Sequence, residues 1–343
     1  MKIIIINYRK EFIMQLHKKI LGQGMALFLM TILLLVVTGC NSTDSKNEEA
    51  TTPKEEPEES PSSWPRSIQN DDGTTVVLEK KPEKIAVLHF GYSEYLLALG
   101  ITPIATTNKD IAHTFATLQP FQSDFNQMED LGETSSPSLE KLVELKPDLI
   151  IAGSFHSDIL EGLRKIAPVI IDKRGNDPTM SWQDTITYYG DILGEEAKAE
   201  EYIQKTEQII QDTNKALAKY SDQTFVFLRP SSKGDFGIVG SKAFGHYHEN
   251  GFGLKTPEEY PTEWANISLE GLVSLNPDYI FFQDNKEAVD KAIENVKNDT
   301  VWQNINAVKN GNIYFLDISL NTGSPLAIEL AAKTITESLE QKE

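Results

Sequence analysis

The chain has 343 residues and a single cysteine, Cys40. One cysteine excludes an intrachain disulfide and a thiolate metal cluster. Basic residues are scarce as well: 32 Lys and Arg stand against 51 Asp and Glu, a formal charge of −19. That balance argues against nucleic acid as a partner, which needs a basic surface, and against electrostatic docking on anionic lipid. For most of these carboxylates a solvated acidic surface is the plain reading. No G-x-S-x-G elbow, P-loop or H-E-x-x-H occurs, and these motifs carry the common hydrolytic and phosphoryl chemistries. Gly237-Ile238-Val239-Gly240 lacks the glycine spacing that cradles phosphate. An enzyme is left only as a lipid-anchored hydrolase with a dispersed site, and the expectation is that the protein is not an enzyme.

There is one notable apolar run, Met25–Val37, preceded by Lys18 and Lys19 and followed by Thr38-Gly39-Cys40. It is short for a membrane span and has the flanks of a signal peptide. The small residues before the cysteine resemble the lipobox of bacterial lipoproteins, in which cleavage falls before a cysteine that carries the lipid. Residues 1–39 are therefore expected to be a lipoprotein signal, with Met1 or Met14 as the start and an uncleaved anchor as the alternative. Without 1–39, which hold five Lys/Arg and one Glu, 27 basic and 50 acidic residues remain, a charge of −23. Residues 40–65 are polar and acidic, and such a segment cannot bury enough apolar surface to offset chain entropy. It reads as a disordered tether that holds a folded body off the membrane surface.

One stretch occurs twice. Ser138–Gly153 reads SLEKLVELKPDLIIAG and Ser268–Gln283 reads SLEGLVSLNPDYIFFQ, with nine of sixteen positions identical. In each copy the serine is a natural N-cap, Leu and Val recur at helical spacing, and proline stops the helix. A run apolar on both faces follows, as suits a parallel strand covered on each side. The copies begin 130 residues apart, a domain-scale spacing too long for a solenoid. The simplest reading is two lobes of similar build.

Other segments fit that reading. Asp72-Gly73 marks a hairpin over Ser67–Glu79. Lys84–Phe90, Ile101–Thr106 and Val169–Asp172 read as strands, with helices over Glu94–Leu99 and His156–Ile166. Asp184–Leu193 is helical, Gly194 interrupts, and Glu195–Tyr220 reads as one long helix with the stripe Ala199, Tyr202, Ile203, Ile209, Ile210, Leu217. Thr224–Leu228 opens a second alternating region, Phe236–Val239 pairs with it, and Asn312–Asp317 is the last strand before the closing helix Ser324–Leu339. Strands alternating with helices predict an α/β fold: two Rossmann-like lobes with parallel-rich sheets, 66–183 and 221–343, joined through a helical segment at 184–220, with a cleft between them.

Lipobox, acidic tether, two lobes and a single linking helix resemble the iron-siderophore class of ABC-transporter substrate-binding lipoproteins. KIAVL followed by EYLLALGI, the two SLE-x-L-V-x-L-x-P-D copies, and VWQNINAVKNGNIYFLD carry the resemblance. It implies a monomeric protein anchored at the extracytoplasmic face through lipidated Cys40. It also implies a ferric siderophore in the cleft and delivery to ABC permease subunits. Proteins of that class place one repeat Glu on each lobe against paired permease arginines, which implies docking through Glu140 and Glu270. The local reading of the same residues is a first-turn carboxylate favouring the helix dipole.

In an open parallel sheet the ligand crevice lies beyond the carboxyl ends of the strands. That rule selects His89, Phe90 and Tyr92, then Ser154, Phe155 and His156, then Lys173 and Arg174 in the first lobe. In the second it selects Arg229 and Lys233, Tyr247 and Trp264, Gln283 and Asp284, and Ser319 with Asn321. Arg174 and Arg229 are favoured, because each ends a buried strand in a chain poor in arginine; an exposed salt bridge is the competing reading of each. Tyr92, Tyr247 and Trp264 offer flat walls with polar tips, and Trp264 is alternatively a core residue. His89 and Phe155 complete the ligand set. A hard ferric ion is filled by the chelator's oxygens, so no direct metal ligand and no cofactor are expected. Few basic groups favour a hydroxamate or citrate-hydroxamate chelate, and FLRPSSKGDFGIVG resembles the corresponding segment of hydroxamate-binding relatives. Haem, cobalamin, ferric citrate and, through His246-x-His248 with His89 and His156, zinc or manganese remain alternatives.

Overall fold

A computed structural model describes residues 64–172, 180–231, 235–243, 245–248 and 251–341. All of these lie within the unit Pro61–Glu343. Cys40 and the tether up to 63 lie outside the described residues, as do Lys173, Arg174 and Lys233. Among the described residues, no helix is long and apolar enough to cross a membrane.

The described chain opens with the expected antiparallel hairpin, β1 (Arg66–Gln69) and β2 (Thr75–Leu78). Gly73 turns it at φ 82°, a conformation that glycine adopts without steric penalty. The first sheet then runs in the order β5-β4-β3-β6-β7, all parallel. Its strands are β3 (Ile85–Val87), β4 (Ala105–Thr106), β5 (Glu129–Asp130), β6 (Leu149–Ala152) and β7 (Val169–Ile171). The second runs β10-β9-β8-β11-β12. It contains β8 (Phe225–Pro230), β9 (Phe236–Ile238), β10 (Ala265–Ile267), β11 (Tyr279–Asp284) and β12 (Ile313–Asp317). Counted from the first strand of each sheet, both orders are 3-2-1-4-5. The second sheet departs only at β9, which is antiparallel to β8 and β10. The short connection after Pro230 requires this, since a parallel return needs a crossover of a dozen or more residues.

Each sheet holds one copy of the repeated stretch. Helix α1 (Phe90–Ala98) follows β3, and α2 (Leu139–Leu145) precedes β6. Ser138 Oγ accepts from the Lys141 amide at 3.3 Å, and Ser268 Oγ accepts from Gly271 at 3.2 Å. Both repeat helices end on a left-handed residue, Lys146 at φ 49° and Asn276 at φ 40°, directly before the proline. The aspartate after it ties the copy to the first strand of its own sheet. Asp148 accepts from the Glu83 and Lys84 amides, both at 2.9 Å. Asp278 accepts from the amide and hydroxyl of Thr224, again both at 2.9 Å.

Two helices carry the chain from one sheet to the other, α3 (Trp182–Leu193) and α4 (Glu196–Leu217). At 1.5 Å per residue α4 is roughly 33 Å long. The expected helix to Tyr220 finishes as a 3-10 turn over Ala218–Tyr220. Its stripe divides: Ala199, Tyr202 and Ile203 pack into the first core, and Ile209, Ile210 and Leu217 into the second. Gly190 lets α3 and α4 approach, because a Cβ there would lie 2.7 Å from the Ala199 Cβ. Helix α5 (Leu269–Leu275) is the second repeat helix, and α6 (Pro325–Glu340) closes the described chain on its N-cap Ser324.

Several boundaries differ from those read in the sequence. The strand expected over Lys84–Phe90 stops at Val87, and Phe90 already belongs to α1. His89 caps that helix with its own ring, which brings the turn forward. Only Ala105–Thr106 of Ile101–Thr106 is paired. The helix expected over His156–Ile166 begins as a 3-10 turn, Ser154–Ile159, and is α-helical only at Leu160–Arg164.

Candidate functional site

In both sheets the strand order reverses beside the central strand, between β3 and β6 and between β8 and β11. The crevice of such a sheet lies at the carboxyl ends of those strands. His89 follows β3. Its Nδ1 accepts from the Gly91 amide at 3.1 Å, so in the neutral ring the proton sits on Nε2. The ring stacks on Phe90 at 4.8 Å, lies 5.2 Å from Tyr92, and meets Phe155 edge-on at 6.0 Å. Phe155 follows β6 and is 54% exposed. Gly153 makes this cluster possible: a Cβ there would fall 2.4 Å from the Phe155 ring and 2.6 Å from the Tyr92 hydroxyl. Tyr92 itself is buried, so its polar tip rather than its ring face is what reaches towards Gly153.

His156, also named from the sequence, is a strut. It is buried; its Nδ1 accepts from Gly153 N at 2.9 Å and its Nε2 donates to the Thr134 carbonyl at 2.8 Å. Desolvation holds its pKa below the ordinary histidine value.

On the second sheet Arg229 and Trp264 come together. Arg229 is opposite Gly237 in the β8–β9 ladder. Trp264 precedes β10 and lies over Gly237, where a Cβ would sit 2.3 Å from its ring. The indole is 53% exposed, which decides against the core alternative, and the guanidinium carbon is 5.9 Å from the ring centroid. Arg229 also donates from Nε and Nη2 to Asp284 Oδ2, at 3.1 and 3.0 Å. Its side chain remains 30% exposed, so the guanidinium is both held and reachable. Beside it, Gln283 is buried and donates from Nε2 to Asn321 Oδ1 at 3.0 Å.

Tyr247 is not a wall residue. It is completely buried, stacked on Phe227 at 4.6 Å within the second core. The 3-10 turn Gly245–Tyr247 folds its ring back onto the sheet. His248 packs edge-on against Phe227, and His246 against Tyr247 and Phe252. Among the described residues no three His, Cys, Asp or Glu side chains converge as a metal site would require. Arg174 lies outside the described residues.

The floor between the sheets is partly apolar, where Ile318 packs with Phe90, Phe115 and Phe121. Its polar part centres on Glu94, which sequence reasoning missed. This fully buried carboxylate accepts from Thr117 Oγ1 and Thr322 Oγ1, each at 2.6 Å, and from Ser324 Oγ. A signal was present, since Glu94 is the one charged residue in FGYSEYLLA. Glu140 and Glu270 occupy the first turns of α2 and α5. Both are exposed, and among the described residues neither is in an ion pair.

The profile of the family described as "Periplasmic binding protein" matches residues 85–320. The Fe(3+)-citrate-binding protein YfmC of Bacillus subtilis is 28% identical, over 84% of this chain and 88% of its own length. The iron(3+)-hydroxamate-binding protein YxeB of the same organism is 26% identical, over 94% and 97%. Among solved structures, Staphylococcus aureus SirA complexed with staphyloferrin B superposes with a TM-score of 0.66 at 23% identity, covering 80% of this chain and 98% of its own.

Proposed function

This chain belongs to the periplasmic binding protein family, and on that premise we propose that it captures a ferric siderophore and hands it to an ABC permease. The observation that carries the reading is the pair of exposed aromatics on two separate sheets of like order, Phe155 just past the carboxyl end of β6 and Trp264 with its ring beside Arg229 near the carboxyl end of β8. Exposed rings with polar groups beside them offer a ligand flat apolar contact next to hydrogen-bond donors. A chelate carries its iron inside, so the protein grips only the ligand's outer atoms. The Arg229 guanidinium supplies donors to oxygens, and the rings, with the His89 imidazole beside Phe155, supply flat contact.

The preferred chelate is of hydroxamate or citrate-hydroxamate type. Arg229, the basic side chain described on this wall, is already balanced by Asp284, and a strongly anionic cage would gain less from it. Capture needs no resident cofactor and no reaction. The protein acts as a monomer, tethered at the extracytoplasmic face through lipidated Cys40, with lobes at 66–183 and 221–343 and the helical link at 184–220. Glu140 and Glu270 engage the permease.

Tryptophan fluorescence tests the reading against a panel of ferric hydroxamates, ferric catecholates, ferric citrate, haem, cobalamin and free divalent ions. One ferric chelate class is expected to quench and to be recovered intact. Quenching by none of the ferric chelates, or recovery of a changed molecule, rejects it.

A further inference from the structure

The turn Ile318–Thr322 leaves β12 at its carboxyl end and runs between the sheets. Three of its neighbouring contacts reach the first lobe: Asp317 accepts from the Ala116 amide and Ser319 Oγ from Thr117, both at 3.3 Å, and Thr322 donates to Glu94 at 2.6 Å. Asn321 sits within this turn and is only partly buried. Its Oδ1 is taken by Gln283 Nε2 at 3.0 Å. A carboxamide whose oxygen is engaged on one side presents its NH2 group, with two donors, on the other.

The Gln283 amide sets that orientation through this one hydrogen bond. Gln283 is the penultimate residue of β11 and fully buried, and among the described residues its Oε1 has no hydrogen-bond partner. A buried glutamine with half its capacity unused costs stability, on general grounds. Across the β8–β11 ladder, Phe282 faces Leu228, so the next pair along brings Gln283 beside Arg229. The Asn321 amide therefore extends the donor surface that Arg229 begins.

We propose that Asn321 is a specificity-determining residue that donates through Nδ2–H to an oxygen of the bound ferric chelate, with Gln283 as its positioning residue. This rests on the siderophore reading and narrows it. A neutral NH2 donor suits a neutral or weakly anionic oxygen, such as a hydroxamate or pendant amide carbonyl. It adds no charge to meet a catecholate cage.

The test compares wild type, Asn321→Asp, Gln283→Met and the double variant Gln283→Met/Asn321→Ala with Asn321→Ala alone. Quenching titrations use a ferric trihydroxamate and a ferric tricatecholate. Asn321→Asp exchanges the NH2 for an oxygen of equal size; it is expected to weaken the trihydroxamate at least tenfold with an unchanged melting midpoint. Gln283→Met is expected to weaken it severalfold in the wild-type background and not at all when Asn321 is already alanine, a coupling that general loosening of the fold does not produce. Equal affinity in Asn321→Asp and wild type overturns the proposal and leaves the siderophore reading standing. So does a Gln283→Met effect of the same size in both backgrounds. Wild type that binds neither chelate overturns both.

Discussion

Glu94 and Thr322 are joined by a 2.6 Å hydrogen bond that spans 228 residues of chain. The bond links α1, whose first residues form the His89–Phe90 wall, to the turn that leads into α6. Ser324 serves twice there, donating to Glu94 while accepting from the Ala327 amide at 3.1 Å as the helix cap. A buried carboxylate needs its donors, because no water replaces one that is removed. Thr322→Val keeps the shape and deletes one donor. It is expected to cost about 1.5–3 kcal/mol, the range for hydrogen bonds to charged groups. Urea unfolding checks this. A loss below about 0.5 kcal/mol would mean that solvent reaches Glu94.

His156 predicts how stability depends on pH. Burial lowers its folded-state pKa below 6.5. The unfolded state therefore binds a proton at higher pH than the folded state does. Its contribution to stability is complete above about pH 6.5 and declines as the pH falls towards the folded value. His156→Gln removes that titration. The difference in unfolding free energy between wild type and variant is expected to be constant above about pH 7 and to shrink from about pH 6.5 to 5. A difference that does not change across this window contradicts the assignment.

The repeat was legible because everything that shapes it is local: the N-cap serine, the helical spacing, the proline and the apolar run all fall within sixteen residues. β5 and β10 were not. Glu129–Asp130 has no apolar signal, and Ala265–Ile267 is three residues long; each exists because a neighbouring strand edge pairs with it. Among the site residues, Arg229 and Trp264 were named separately. Their meeting over Gly237 depends on the β8–β9–β10 registers, which nothing local specifies. Tyr247 was misplaced because position after a strand does not reveal a turn that folds back. The hydroxyls around Glu94 lie 23 to 230 residues away from it in sequence, beyond any periodicity argument.

The duplicated aspartates give a ranked prediction. Asp148 holds the exposed residues just before β3, Glu83 and Lys84, through their amides, whereas Asp278 holds a part-buried Thr224. Alanine at either position leaves backbone donors unpaired. Water can reach those near Asp148 and reaches those near Asp278 less well. Asp278→Ala is therefore expected to destabilise by about 1–3 kcal/mol and Asp148→Ala by about half as much. Thermal or denaturant unfolding orders the two, and the reverse order would show that exposure is not what sets the cost.

Glu140 and Glu270 separate two roles that coexist at one position. In the first turn of α2 and α5 each carboxylate interacts favourably with the helix dipole by roughly 0.3–1 kcal/mol. That role is intramolecular and predicts only a small drop in stability for Glu140→Lys or Glu270→Lys. Engagement of a permease is intermolecular, and two exposed carboxylates on matching helices suit a partner with two equivalent halves. The double reversal is then expected to leave the affinity for the ferric chelate unchanged and to abolish iron uptake by cells that depend on this protein, with each single variant intermediate. Uptake at the wild-type rate in the double variant would leave the dipole as the sole reason for these glutamates. A matching loss of chelate affinity would instead place them in the binding site.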